Sequence, residues 1–154
     1  MSDSSFEQIG DIFTEALAEV ISTATGFSFD IQPALDQDSF DDIVGIMGLY
    51  GESRGMLFIS MNEALMRVLC SYMIGVTLEN ISREDIEDAL CELVNMTAGS
   101  AKRQLNGEDD AFTLSPPFVI RGQNLNVIHK HRVHVVARRL GNGGKSLMMR
   151  VVFY

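Results

Sequence analysis

The chain has few of the residues that mark secreted, fibrous or membrane-spanning proteins. Its 154 residues include two cysteines, Cys70 and Cys91, and three prolines. Two cysteines make neither a disulfide framework nor a zinc-binding set, and so few prolines exclude a collagen-like chain. No apolar run approaches the roughly 18 residues that a membrane-spanning helix needs, and the first residues lack the basic and apolar regions of a signal peptide. We therefore expect a cytoplasmic protein that forms one domain over residues 1–154.

Basic side chains are also scarce and unevenly placed. There are 12 lysines and arginines against 21 aspartates and glutamates, which gives a net charge of −9. The whole excess lies in the first half, where residues 1–77 carry 12 acidic and two basic residues, and after Ala111 the chain has seven basic and no acidic residues. A basic C-terminal part could indicate nucleic-acid binding, but a polyanion would be repelled by the molecule as a whole. Binding of RNA or DNA is therefore disfavoured.

The spacing of apolar residues predicts three helices and a set of strands. The helices are expected from a cap at Ser4 or Ser5 to residue 24, from residue 62 to 74, and from a capping box at Ser82 and Asp85 to residue 105. The strands are expected at 27–31, 43–50, 55–61, 118–121, 125–140 and 146–154, and residues 106–110 form a helix end and a turn. This order predicts an α+β, layered α/β fold, with a mainly antiparallel sheet packed against long helices.

Three patterns that could indicate a ligand site are incomplete. Residues 144–146 read Gly-Lys-Ser, but Arg139 stands where a P-loop requires glycine, and a strand rather than a helix follows. The acidic residues at 36–42 lack the glycine and terminal glutamate of a calcium-binding loop. On a strand, His129 and His131 share one face and His134 points the other way. No metal or cofactor site is therefore predicted.

The third helix carries an unusual polar face. With about 100° of rotation per residue from Ile86, four residues fall within roughly 60° of that position and form the core side of the helix, namely Ala89, Leu90, Leu93 and Thr97. On the same scale four residues fall at about 180° to 240° on the opposite side, and they are Asp88, Glu92, Asn95 and Gly99. The plain alternative is the solvated face of an amphipathic helix, but asparagine and glycine both weaken a helix interior relative to alanine, so they are unusual choices for such a face. We interpret this face as a binding surface at which Gly99 permits close approach.

Such a face suits the hydrolysis of an acyl phosphate carried by another macromolecule. The uncharged amide of Asn95 can hold a water molecule beside a phosphoryl group, where an aspartate would be repelled. Glu92, one turn away, can bind a cation of the partner. An acyl phosphate already has a good leaving group, so it mainly needs an aligned water and charge neutralisation. A strong base is not required.

These residues resemble a known family. Asp88, Glu92 and Asn95, followed by MTAGSA at 96–101 and PPFVIRG at 116–122, are similar to the motif of the CheC/CheX/FliY phosphatases of bacterial chemotaxis. The length and the single copy of the motif are most similar to the CheX branch. Family members with two sites carry a second motif on the first helix. Here the matching positions are Glu19 and Ser22, so the asparagine is missing and no second active site is expected.

The resemblance implies a specific activity. CheX-like proteins dephosphorylate the phosphoaspartate of the response regulator CheY. Asn95 would orient the attacking water, Glu92 would pair with a lysine of the regulator, and Asp88 and Gly99 would contribute to partner binding. The protein would hold no cofactor of its own, because Mg²⁺ would be bound by the regulator, and it would be a homodimer. The alternative is a non-catalytic dimeric adaptor that binds receiver domains without accelerating the loss of phosphate.

Overall fold

A computed structural model describes residues 2–34, 39–105 and 112–154. In it, three helices pack against one face of a seven-stranded sheet in which every pairing is antiparallel. The elements in chain order are α1 (Asp3–Thr25), β1 (Asp30–Pro33), β2 (Ile43–Gly51), β3 (Arg54–Met61), α2 (Glu63–Ile74), α3 (Arg83–Leu105), β4 (Phe112–Leu114), β5 (Phe118–Arg121), β6 (His134–Asn142) and β7 (Lys145–Phe153). A short 3-10 turn, Leu78–Asn80, separates α2 from α3. The predicted α+β fold with a mainly antiparallel sheet is confirmed.

The helix boundaries follow from local capping chemistry. Gly26 and Gly75 end α1 and α2 in the left-handed conformation, with φ of 79° and 69°, which glycine adopts without steric cost. The side chain of Asn62 caps α2 by accepting a hydrogen bond from the backbone N–H of Leu65 at 2.8 Å. The start of α1 was predicted two or three residues too late, because the helix begins at Asp3, directly after Ser2.

The strand order is β1-β6-β7-β3-β2-β4, and β5 pairs with the same strand, β2, as β4 does. Leu114 is opposite Leu49 in one pairing and Phe118 is opposite Ile46 in the other, so the register shifts by one residue between them. The two prolines at 116 and 117 lie at this shift. Proline cannot donate a ladder hydrogen bond, so the doublet divides what would otherwise be one edge strand into two.

Alternation along the strands gives the sheet two apolar faces. One face and the three helices enclose the main core, which includes Met47 on β2 and Val151 on β7. The strand residues between the core residues point to the other face, where they form a smaller apolar cluster with Phe40 and Leu125. Phe40 and Leu125 pair with each other in an isolated β-bridge. No helix covers this smaller cluster in the described parts of the chain.

Two glycines let the helices lie close to the sheet. A Cβ atom built on Gly45 of β2 would be 2.6 Å from Val94 and 2.9 Å from Leu90, both on α3. A Cβ atom on Gly10 of α1 would be 2.2 Å from Val136 of β6. Real Cβ contacts are not this short, so a side chain at Gly45 would push α3 outward. The depth at which α3 packs therefore depends on Gly45.

Two strand predictions were wrong. The predicted strand over 125–140 begins only at His134, because the residues before it leave the sheet apart from the single bridge of Leu125. The first strand is Asp30–Pro33 rather than 27–31, and the three-residue strand β4 was not predicted. The predicted helix end and turn at 106–110 lie outside the described residues.

Among the described helices, none is long and apolar enough to cross a membrane.

Candidate active site

Helix α3 separates the predicted polar face from the core residue by residue. Leu93 and Val94 are buried against the sheet, whereas Glu92 and Asn95 on either side of them are exposed. Asp88, one turn before Glu92, is also exposed. The structure therefore brings these three side chains together on one outward surface of a rigid helix, as the helical spacing predicts.

The amide of Asn95 and the carboxylate of Glu92 are available to a partner. Within residues 2–34, 39–105 and 112–154, neither side chain makes a hydrogen bond or an ion pair. An exposed amide offers both a donor and an acceptor without charge. A carboxylate three residues away lies on a neighbouring part of the helix surface. This pair can therefore hold a water molecule and a cation side by side.

Gly99 leaves a gap on the same surface. Among the described residues outside the backbone of α3, a Cβ atom added there would have one neighbour within 4 Å, the Nη1 atom of Arg103 at 3.6 Å, which is an ordinary van der Waals distance. Packing against the described residues thus does not require glycine at this position, in contrast to Gly45. Alanine would favour the helix by roughly 1 kcal/mol. The glycine is therefore best explained by something outside the chain that approaches α3.

A groove runs beside Asn95 between α3 and α1. The α1 side is lined by Glu19, Val20 and Thr23. The α3 side is lined by Asn95, Met96, Gly99, Ser100 and Arg103. Because residues of both helices line one concave surface, the candidate site extends beyond the single face of α3 that the sequence analysis identified.

The N-terminal half of α3 is electrostatically negative. Burial raises the pKa of the Cys91 thiol, and the charges of Asp88 and Glu87 raise it further. A thiol with a raised pKa remains protonated at neutral pH and is a poor nucleophile. Cys91 is therefore not a candidate nucleophile, and its surroundings favour cationic groups of a partner.

A capping box and an ion-pair network fix the start of α3. Ser82 and Asp85 form the predicted capping box. The backbone N–H of Ser82 donates to the carboxylate of Asp85 at 2.9 Å, and the backbone N–H of Asp85 donates to the hydroxyl of Ser82 at 3.0 Å. Arg121 of β5 then binds Glu87 of α3 at 2.8 Å and Glu63 of α2 at 2.6 Å. Burial alone would lower the pKa of Arg121, but the hydrogen bonds to Glu87 and Glu63 outweigh it and raise the pKa.

This role of Arg121 was not predicted. In the sequence Arg121 is part of the PPFVIRG segment, which carries the family resemblance. Its partners are 34 and 58 positions away, and no local pattern predicts such a pairing. The structure shows that the segment connects the edge strand β5 to the helix that carries Asn95.

The other candidate ligand residues do not assemble into a site. Only His134 lies on a strand, so the predicted shared strand face of His129 and His131 is wrong. The imidazole of His134 instead stacks on Phe6 and lies 3.5 Å from a carboxylate oxygen of Asp3. In the described ranges, no group of three or more His, Cys, Asp or Glu residues could hold a metal ion.

Comparison with known proteins identifies the family. A model of the family described as "Chemotaxis phosphatase CheX" matches residues 43–139. These residues include α3 and the β5 segment, and they make up more than half of the chain. The chain belongs to the CheX family. None of the curated proteins matches it in sequence.

Solved structures confirm the CheX-like fold over almost the whole chain. A CheX protein from Vibrio vulnificus is 22% identical with a TM-score of 0.82, and the match covers 96% of this chain and 99% of that one. A CheC-like protein from Shewanella sp. PV-4 is 25% identical with a TM-score of 0.82, covering 95% and 97%. The CheX of a CheX–CheY–BeF3–Mg complex from Borrelia burgdorferi is 19% identical with a TM-score of 0.76, covering 93% and 96%.

In this CheX-family chain, the resemblance matches Glu19 and Ser22 of α1 to the positions of a second motif. Glu19 and Ser22 are both exposed, and Glu19 lines the groove beside Asn95. A serine hydroxyl is shorter than a carboxamide and offers one donor. The α1 residues can therefore contribute to a surface around Asn95, while the asparagine itself is present only on α3.

Proposed function

We propose that this protein hydrolyses the phosphoaspartate of a CheY-like receiver domain. The observation that carries the proposal is the exposed Asn95 amide, which is free of partners among the described residues and lies beside Glu92 on α3. Membership of a family described as chemotaxis phosphatases supports it. The similar Borrelia burgdorferi protein was solved with CheY, BeF3 and Mg, which supports a CheY-like partner.

In the proposed reaction, Asn95 aligns the attacking water. The amide accepts a hydrogen bond from the water and keeps its oxygen in line with the phosphorus atom. The water forms a new bond to phosphorus while the bond from phosphorus to the aspartate oxygen breaks. The products are inorganic phosphate and the free carboxylate, and the proton of the water passes to phosphate or solvent. Alignment of this kind contributes most where the leaving group is already good.

The remaining groups of the α3 face serve docking. Glu92 pairs with a lysine of the receiver, Asp88 adds negative charge beside it, and Gly99 admits the receiver surface. Mg²⁺ is held by the receiver, and this chain supplies no cofactor. A receiver substrate would place the protein in the cytoplasm. We also propose that the protein is a homodimer, because Phe118 and Ile120 expose 46% and 41% of their surface on the edge strand β5.

The test is phosphate release from a phosphorylated CheY-like receiver. Wild-type protein should accelerate release, and Asn95→Ala should slow that acceleration at least about tenfold, as expected when an aligning group is removed. Thermal melting should show that Asn95→Ala is at least as stable as wild type, since Asn95 is exposed, makes no hydrogen bond or ion pair with the described residues, and alanine favours a helix. Equal rates for the two proteins would refute the role of Asn95.

A binding measurement separates the phosphatase from the adaptor. A receiver loaded with beryllofluoride imitates the phosphorylated state without reacting. Glu92→Ala should weaken this binding because it removes one partner of an interfacial charge pair, whereas Asn95→Ala should leave it nearly unchanged. Tight binding by the wild-type protein without any acceleration of phosphate release would instead establish the adaptor.

A further inference from the structure

Arg103 is the basic side chain of the groove beside Asn95. It lies in the last turn of α3, and its guanidinium Nη1 atom is 3.6 Å from the position where a Cβ atom of Gly99 would be. The side chain thus extends back along the helix toward Asn95, in the direction that helical side chains favour. It is exposed, and it forms no hydrogen bond or ion pair with any residue that the structure describes.

The face of α3 consequently has a charge gradient along its length. Asp88 and Glu92 give it negative charge at one end, Asn95 and Gly99 are neutral in the middle, and Arg103 gives positive charge at the other end. Glu92 and Arg103 are eleven residues apart, or about three helical turns, so they lie in nearly the same row. The guanidinium lies over Gly99. At 1.5 Å per residue, the distance along the helix axis from Glu92 to Gly99 is about 10 Å.

We propose that Arg103 is a specificity-determining residue that pairs with a carboxylate of the receiver. This inference rests on the proposed function, because it uses the same docked complex. The receiver would present a lysine to Glu92 and an aspartate or glutamate to Arg103, about 10 Å apart on either side of its phosphoaspartate. Such opposed charges fix the direction in which the receiver lies along α3, since the reversed orientation would place like charges together.

The position of the guanidinium favours a carboxylate over the phosphoryl group as its ligand. Gly99 is four residues beyond Asn95, which is about 6 Å along the helix axis. The guanidinium over Gly99 is therefore displaced along the helix from the position at which Asn95 holds the water. A planar guanidinium also matches a carboxylate with two parallel hydrogen bonds.

A purely structural role for Arg103 can be tested separately. A basic residue in the last turn stabilises a helix through its dipole, and Lys102 has the same charge in the same turn. Lys102 does not line the groove. Lys102→Glu therefore reproduces the change in net charge and in the helix terminus that Arg103→Glu makes, and it serves as the matched control.

The experiment measures binding of a beryllofluoride-loaded receiver and phosphate release for wild type, Arg103→Ala, Arg103→Glu and Lys102→Glu. We expect Arg103→Glu to weaken binding at least about tenfold, Arg103→Ala to weaken it less, and Lys102→Glu to change it less than about twofold. The rate at saturating receiver should stay near the wild-type value for both Arg103 variants. Replacing the matching receiver carboxylate with lysine should restore binding to Arg103→Glu.

Other outcomes overturn the proposal. Equal losses for Arg103→Glu and Lys102→Glu would show a general charge effect, and unchanged binding would show that Arg103 contacts nothing. A lower rate at saturation with unchanged binding would place Arg103 at the phosphoryl group instead. If wild-type protein binds the receiver but does not accelerate phosphate release, the proposed function fails, while the binding comparison still decides the role of Arg103.

Discussion

The substitution Gly99→Ala should make the protein more stable and a weaker phosphatase. In the interior of a helix, alanine is favoured over glycine by about 0.8 to 1 kcal/mol. The described part of the chain offers room for the added methyl group, since the neighbour it would meet within 4 Å is the flexible end of Arg103, with Nη1 at 3.6 Å. For a domain of this size, a gain of 1 kcal/mol raises the melting temperature by roughly 2 to 4 °C.

The same methyl group would occupy the space into which the receiver surface fits. Overfilling a packed contact costs about 1 kcal/mol or more, which corresponds to at least about fivefold weaker binding. Thermal melting and titration with a beryllofluoride-loaded receiver measure the two effects on the same protein. Gly144→Ala is the control for binding, because it adds a methyl group at the β6–β7 turn, where no atom of the described residues other than its chain neighbours lies within 4 Å.

Two results would refute this reasoning. A lower melting temperature for Gly99→Ala would show that the fold itself requires glycine there. An unchanged affinity for the receiver together with the expected gain in stability would show that nothing approaches α3 at this position, and Gly99 would no longer belong to the partner surface.

Three further predictions concern the framework of the site. Gly45→Ala should destabilise the protein by about 1 to 3 kcal/mol in urea unfolding, because its Cβ atom would overlap the core side of α3; an unchanged midpoint would contradict this packing. Arg121→Ala should cost about 1 to 2 kcal/mol, since it leaves the carboxylates of Glu63 and Glu87 without their shared partner; equal stability of variant and wild type would show that the network is dispensable. The hydrogen bond from Arg138 lowers the pKa of Glu7. Ionised Glu7 therefore contributes fully to the stability of the fold above the ordinary glutamate pKa of about 4.3, and this contribution is lost as the pH falls through the lower pKa of the folded state. Arg138→Met should flatten the fall in stability over that acid range, and parallel curves of stability against pH for variant and wild type would contradict the assignment.

The helices were predictable because their signals are local. The cap at Asn62, the stop at Gly75 and the capping box of Ser82 and Asp85 each act within one turn, and each is present in the structure. The outward direction of Asn95 follows from the helical period alone. Local chemistry therefore gave the surface on which the proposal depends.

The parts that could not be predicted depend on contacts between distant residues. The segment before His134 contains three β-branched residues, Val127, Ile128 and Val133, which favour a strand, but among the described residues Leu125 alone forms a bridge, opposite Phe40. Strand β4 has three residues, too few for a periodic signal. The groove between α1 and α3 and the ion pairs of Arg121 arise only when separate elements pack together.

The most direct test of the account is the single-turnover decay of a phosphorylated receiver at saturating protein, compared between wild type and Asn95→Asp. Aspartate has nearly the same size as asparagine but carries a negative charge toward the phosphoryl oxygens. If Asn95 aligns a water without acting as a base, Asn95→Asp should lose most of the acceleration at every pH at which its carboxylate is ionised. Retention of the wild-type rate by Asn95→Asp would contradict the central claim that an uncharged amide on α3 positions the attacking water.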